Sequence, residues 1–167
     1  MSPTDLAILL LRVWPGLVML AHGYNHGRNL KGTASYFASK GFRQEKLLAR
    51  LSTFGEMAVG LGLVLGLLTP FAAAGLIATM TLAFGSVHRF AGFFVFKRPD
   101  EGWEYVVTLA VAALALAMLG PGAYSIDAAI GLDLDGWIGL VIALGGTLLG
   151  AVQLALLWRQ PRSSARS

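Results

Sequence analysis

The sequence predicts an all-α integral membrane protein: a four-helix bundle followed by one additional C-terminal transmembrane helix. Three observations carry this. Of the 167 residues, 56% are hydrophobic and only 13% are charged. The apolar residues gather in five stretches, roughly Leu6–Ala21, Leu51–Leu68, Phe71–Val87, Trp103–Leu119 and Trp137–Trp158. Lys and Arg avoid every second gap between these stretches. The segment from Gly23 to Arg50 holds Arg28, Lys31, Lys40, Arg43, Lys46 and Arg50. The segment from His88 to Gly102 holds Arg89, Lys97 and Arg98, and the tail after Trp158 holds Arg159, Arg162 and Arg166. The Leu68–Pro70 turn and the segment from Gly120 to Gly136 hold none. Short loops rich in Lys and Arg stay cytoplasmic, so the expected topology puts the N-terminus outside and the C-terminus inside.

A span needs about 20 residues, so flanking residues must complete the first, third and fourth stretches. The expected organisation is a membrane domain over 1–135, an additional transmembrane helix over 136–159 and a basic cytoplasmic tail over 160–167. Within the first, residues from about 24 to 50 form a cytoplasmic interfacial loop. The N-terminus lacks a basic leader region and a small-residue cleavage site, so the first stretch reads as a retained span.

Composition also excludes function classes. The chain has no cysteine, which removes disulfide exchange, thiolate nucleophiles and Cys-ligated iron–sulfur or zinc sites. The net charge of +4 is accounted for by the loops, with no basic stripe or base-stacking pattern, so no nucleic-acid partner is expected. The lipid bilayer is the expected partner, with attraction to anionic headgroups. A phosphate-binding Gly loop, G-x-S-x-G and H-E-x-x-H are all absent.

Along the chain, Pro15 removes a backbone donor from the first span and predicts a kink there. Beyond it, Tyr36, Phe37, Phe42, Leu47 and Leu48 alternate with Lys and Arg, as in an interfacial amphipathic segment; a substrate-binding loop is the alternative. Leu68–Pro70 reads as a tight hairpin. Phe90, Phe93, Phe94, Phe96 and Trp103 beside Arg89, Lys97 and Arg98 mark a membrane–water interface. Gly62 with Gly66, and Gly146 with Gly150, have the spacing of close helix packing within the monomer, and a homo-oligomer interface is the alternative. Gly120-Pro121-Gly122 forces a turn. Ser125 or Asp127 is placed to cap a short helix, and Asp133 and Asp135 read as a solvated acidic loop.

Ionisable side chains are costly inside a bilayer, face the bundle interior and need partners. Arg12 and Glu56 lie within spans; His22, His88 and Glu104 lie near span ends. At about 1.5 Å per residue, Arg12 lies about 15 Å deeper than His22, and Glu56 about 8 Å inside the cytoplasmic end of its span. His22, Glu56, His88 and Glu104, from four spans, should therefore converge on the cytoplasmic face. A Glu56–Arg12 ion pair is expected. His22 and His26 would share a helix face if the helix runs that far, although Gly23 and Gly27 argue against it. With His88 they are the weak candidates for a metal site; no metal is assigned. His changes charge near neutral pH, so Glu56, His22 and His88 are the candidates for proton handling beside a quinone or similar ligand, with Arg12 and Glu104 completing the cluster.

These residues, in this order, resemble the DoxX family of bacterial membrane proteins. Arg12 and His22-Gly23 are similar to that family's first-span arginine and His-Gly pair. Glu56, Gly60 and Gly62, then Leu65-Gly66-Leu67-Leu68-Thr69-Pro70, resemble its glutamate–glycine span and turn. Met80 and His88 resemble the third span, Glu104 the opening of the fourth, and Gly120-Pro121-Gly122-Ala123-Tyr124-Ser125-Ile126-Asp127 the closing motif. The resemblance implies a four-helix membrane bundle in the bacterial inner membrane and an association with redox systems, including quinone-reducing ones. It leaves Trp137–Trp158 unmatched.

The expected function is a redox-associated subunit that meets a quinone near the cytoplasmic face. Its electrons come from a redox-protein partner, since the chain shows no redox centre of its own. If enzymatic, it is a subunit of a quinone-linked oxidoreductase and not a stand-alone enzyme. The alternatives are a structural or scaffolding subunit of a membrane complex, and a small oligomeric transporter or proton-linked channel.

Overall fold

The computed structural model describes residues 2–96 and 101–161. Lys97, Arg98, Arg162 and Arg166 lie outside the described residues, as does most of the expected basic tail. Seven helices follow one another: α1 Pro3–Gly27, α2 Leu30–Ser39, α3 Glu45–Leu65, α4 Thr69–Ser86, α5 Glu104–Leu119, α6 Ile126–Ala129 and α7 Gly136–Leu157. A single 3₁₀ turn, His88–Phe90, follows α4.

By length and composition, α1, α3, α4 and α7 can each cross a bilayer. The fifth apolar helix, α5, has 16 residues and is shorter; it packs among the others against α1, α4 and α7. The surface is that of a membrane protein. Trp14, Phe54, Trp137, Val141, Leu148 and Leu156 are all more than 60% exposed, an apolar surface that water would not tolerate on a monomer.

The ends of α1 are defined by local chemistry. Ser2 and Asp5 form a reciprocal capping box at its start, satisfying donors that the helix itself leaves open. The helix runs unbroken through Pro15 and continues through Gly23 to Gly27. The doubt that Gly23 and Gly27 raised about the helix reaching His26 is thus corrected, because both glycines are packing sites. A Cβ on Gly23 would lie 3.0 Å from Thr53 O and one on Gly27 2.9 Å from Thr53 Cγ2.

The most extensive helix pairings are α1 with α3 and α4 with α7. Gly16 and Gly60 face each other in the first pair: a Cβ on Gly60 would lie 2.7 Å from Gly16 O. In the second, Cβ atoms on Gly146 and Gly150 would run into Ala74 O and Ala78 O. That step therefore closes a contact within the molecule, as small residues do between membrane helices. Half of the most apolar window of α4 is buried, against 17% for α7, so α4 is central and α7 peripheral. The core between them holds Leu63, Ala73, Leu76, Ala113, Leu116 and Ala143.

This antiparallel arrangement gives the bundle two unlike ends. One holds the C-terminus of α1, all of α2 and the start of α3, the stretch that carries Arg28 to Arg50, with Arg89 and Arg159 at the same end. The other holds the α3–α4 turn and the segment around Asp127, Asp133 and Asp135. These are the basic end and the acidic end.

Candidate functional site

At the acidic end, Arg12 is 1% exposed. Its Nη1 donates to Leu63 O at 3.0 Å and Val64 O at 3.1 Å, and its Nη2 to Tyr124 O. Leu63 and Val64 lie in the last turn of α3, where helix carbonyls run short of partners; Gly66 N reaches Leu63 O only at 3.4 Å, so the guanidinium completes the cap of that helix. Asp127, also 1% exposed, does the reverse for α4. Its carboxylate accepts from Leu68 N at 2.7 Å, Thr69 N at 2.8 Å and Thr69 Oγ1 at 2.8 Å. Both charges sit where the helix dipole favours them, and they attract each other. Ser125 caps the short α6 through Ala128 N, as expected from the sequence.

The expected Glu56–Arg12 ion pair does not form, and the reason is register. Gly16 packs on Gly60, and Gly23 on Thr53 and Met57. Arg12 is thereby set opposite Leu63 and Val64, and His26 opposite Ser52. Arg12 and Glu56 belong to different ends of the bundle.

Glu56 is 6% exposed and borders a cavity of ≈ 770 Å³ at the basic end. Walls of this cavity come from His22 and His26 of α1, Ser52 and Glu56 of α3, Tyr105 of α5 and Gln153 of α7. Helix α2 closes one side with Tyr36 and Phe37, so the segment after the first span is more than an interfacial anchor. Three side chains make a continuous polar line in the wall. Ser52 Oγ donates to Glu56 Oε1 at 2.7 Å, and Ser52 Oγ lies 2.7 Å from His26 Nδ1. His26 Nδ1 also stands 3.4 Å from Glu56 Oε2, yet Oε2 is buried and has no hydrogen-bond partner among the described residues.

The line has two consistent polarities. With Glu56 ionised, Ser52 donates to it and His26 Nδ1–H donates to Ser52. With Glu56 protonated on Oε1, Glu56 donates to Ser52 and Ser52 donates to a bare Nδ1. With His26 also protonated on Nε2, one proton shifted along each bond converts the first, a carboxylate with an imidazolium, into the second, an acid with a neutral imidazole, with no heavy atom displaced.

The other sequence candidates divide. His22 and His88 line the cavity, and His88 Nδ1 lies 2.7 Å from Glu101 O. Glu104 does not line it; its Oε1 accepts from Val95 N at 3.2 Å and ties down the aromatic loop ahead of α5. The four-group convergence is thus three cavity groups and one loop tether. Among the described residues, no group of three or more His, Asp and Glu residues sits at metal-holding spacing. The His22 and His26 rings meet edge to face with centroids 6.3 Å apart. Sequence reasoning missed Ser52 and gave His26 only a metal role. The four-residue step from Ser52 to Glu56, level with a His once α1 is extended, was the available signal.

No curated protein and no solved structure matches the chain. The family model DoxX matches residues 7–89, a region that contains Arg12, His22, His26, Ser52, Glu56 and His88. This all-α membrane protein belongs to the DoxX family.

Proposed function

We propose that this protein is a redox-associated membrane subunit whose basic-end cavity binds a quinone-type ligand, with Glu56 as the proton-exchanging group. The observation that carries this is Glu56, a buried carboxyl with one unmatched oxygen, in the wall of a cavity of ≈ 770 Å³. Small-molecule sites are typically about 300–1,000 Å³, mostly apolar, with a few convergent polar groups. A buried carboxyl oxygen without a partner costs free energy unless something binds it. A ring carrying oxygens fits both states of Glu56: its carbonyl accepts from the acid, and its hydroxyl donates to the carboxylate.

When bound, a quinone supplies an electron-accepting ring whose reduction takes up protons. The chain's own part is to hold and move them. Glu56 stands in the cavity wall, and its Oε1, Ser52 Oγ and His26 Nδ1 form the exchange line. His22 and His88 border the same space and serve as further exchange groups. Arg12 has no part in this site. Electrons come from a redox-protein partner or a larger complex. Loop charge supports the basic end facing the cytoplasm, in a bacterial inner membrane, with the N-terminus outside.

The test is quinone extraction from the protein purified in mild detergent, together with quinone-coupled turnover in native membranes, for wild type and Glu56→Gln. Quinone should co-purify with both, because the amide keeps the shape and the Ser52 bond, and turnover should fall at least about tenfold in the variant, a typical loss for a proton-transfer group. No quinone in the wild type, or unchanged turnover in the variant, would overturn the reading. A scaffold subunit would show neither quinone nor dependence on Glu56, and a transporter would show flux in liposomes.

A further inference from the structure

We propose that α7 builds, with the end of α4, a binding site for the phosphate of an anionic phospholipid headgroup. The site joins Gly85 and Arg89, inside the matched region, to α7, which lies beyond it, and it shares no lining residue with the larger cavity. A second cavity, ≈ 320 Å³, is lined by Gly85, Arg89, Leu154, Trp158, Arg159 and Gln160, with Ala155. Its residues come from two places that the fold brings together: the turn after α4 and the last turn of α7.

The platform is aromatic and rigid. The Phe90 and Trp158 rings stack at 26° with centroids 6.2 Å apart. The Arg89 guanidinium lies 4.6 Å from the Phe90 centroid and 5.4 Å from that of Trp158. Stacking on rings orients a guanidinium while leaving its N–H fork available to a planar or phosphate partner. Among the described residues, no carboxylate stands within salt-bridge distance of Arg89 or Arg159, and no acceptor takes a hydrogen bond from either side chain.

The Trp158–Arg159 segment is also strapped down. Trp158 Nε1 donates to Lys40 O at 2.8 Å, Arg159 N to Gly41 O at 2.9 Å, and Arg43 N to Leu157 O at 2.8 Å. Gly41 has φ +90° and a Cβ there would collide with Arg159 O, so the strap depends on this glycine.

Two things favour a lipid over a soluble phosphate. Trp158 and Phe90 sit at a helix end, the depth at which aromatic rings meet headgroups. The floor of the cavity, Gly85, Leu154 and Ala155, continues into the exposed apolar stripe Leu148, Val152 and Leu156 of α7, where acyl chains can lie. Basic pockets between helices on the cytoplasmic side hold anionic lipids in this way.

Native mass spectrometry of the full chain, released from nanodiscs of mixed phosphatidylglycerol and phosphatidylcholine, tests this. Wild type should retain one phosphatidylglycerol in preference to phosphatidylcholine. Arg89→Gln with Arg159→Gln should lower that adduct at least about fivefold, and Arg50→Gln, which removes one charge elsewhere at the same end, should not. Trp158→Leu should lower it as well. Equal retention of both lipids, loss of the adduct with Arg50→Gln, or an unchanged adduct in the double variant would each overturn the proposal. Displacement of the lipid by millimolar inorganic phosphate would also overturn it, in favour of a soluble-anion site.

Discussion

Arg12 and Glu56 are both buried ionisable side chains on paired helices, and their surroundings are opposite. Arg12 reaches three carbonyls through its two terminal nitrogens, and Asp127 nearby takes three donors. The acidic end is a closed knot in which charge serves to cap helices. Glu56 has one hydrogen bond, from Ser52, and a buried oxygen without a hydrogen-bond partner, and the residue borders a cavity. The comparison teaches that burial of charge alone does not identify function. What separates the two residues is how many partners the protein itself supplies: Arg12 anchors both terminal nitrogens and leaves only Nε unmatched, whereas Glu56 has a single hydrogen bond and stands in a cavity wall.

The largest effect should come from cutting the knot. Arg12→Leu strips the guanidinium from the last carbonyls of α3 and from Tyr124 O, and leaves Asp127 without its attracting cation. Removing one partner of a buried charge pair costs about 3–5 kcal/mol. Thermal unfolding in detergent, followed by size-exclusion chromatography, should show a large loss for Arg12→Leu. Glu56→Gln should stay within about 1 kcal/mol of wild type, since the amide still accepts from Ser52. Equal melting of the two variants would break the comparison.

Glycines sharpen it at the next level. Gly66 ends α3 at φ +64°, and a Cβ there would overlap Arg12 Nη1 and Ser125 Cβ. Gly66→Ala should cost about 1–3 kcal/mol from backbone strain alone. Gly55 is one residue from Glu56, inside α3, and a Cβ there meets nothing within 4 Å. Gly55→Ala should be neutral or stabilising by up to about 1 kcal/mol. The same unfolding assay reads both, and a destabilised Gly55→Ala would mean that the cavity end is as tightly fitted as the knot.

Much of this was legible in the sequence. Hydropathy gave the apolar helices, and loop charge separated the two ends. Glu56 stood out because a bilayer makes a carboxyl expensive. Rotation and register were not legible, because they depend on which small residues let two backbones touch. Gly62–Gly66 and Gly146–Gly150 drew attention by their four-residue spacing. The α1–α3 register is set instead by Gly16, Gly23 and Gly60, which lie on two different helices. Once that register is known, Arg12 cannot reach Glu56 and His26 cannot avoid Ser52. Asp127 was recognised as a capping residue, but its target is the start of α4, 58 and 59 positions away along the chain.

The most direct test of the exchange line, with only a small effect on stability, comes from Ser52. Ser52→Ala removes one hydroxyl and costs about 1 kcal/mol, so the fold should survive. It also leaves Glu56 Oε1 and His26 Nδ1 without the atom that joins them. The carboxyl stretch of Glu56 in difference infrared spectra, identified by its absence in Glu56→Gln, should shift to higher frequency in Ser52→Ala as the hydrogen bond is lost. Ser52→Thr keeps the hydroxyl and should restore both band and turnover. A structural role for Ser52 would lower stability without moving that band. A functional one moves the band and slows quinone-coupled turnover together, since the approach of His26 Nδ1 to Glu56 Oε2 that remains, 3.4 Å, is longer than either bond of the line. If Ser52→Ala leaves band and rate unchanged, the line is packing, and the Glu56 end differs from the Arg12 end only in having fewer partners.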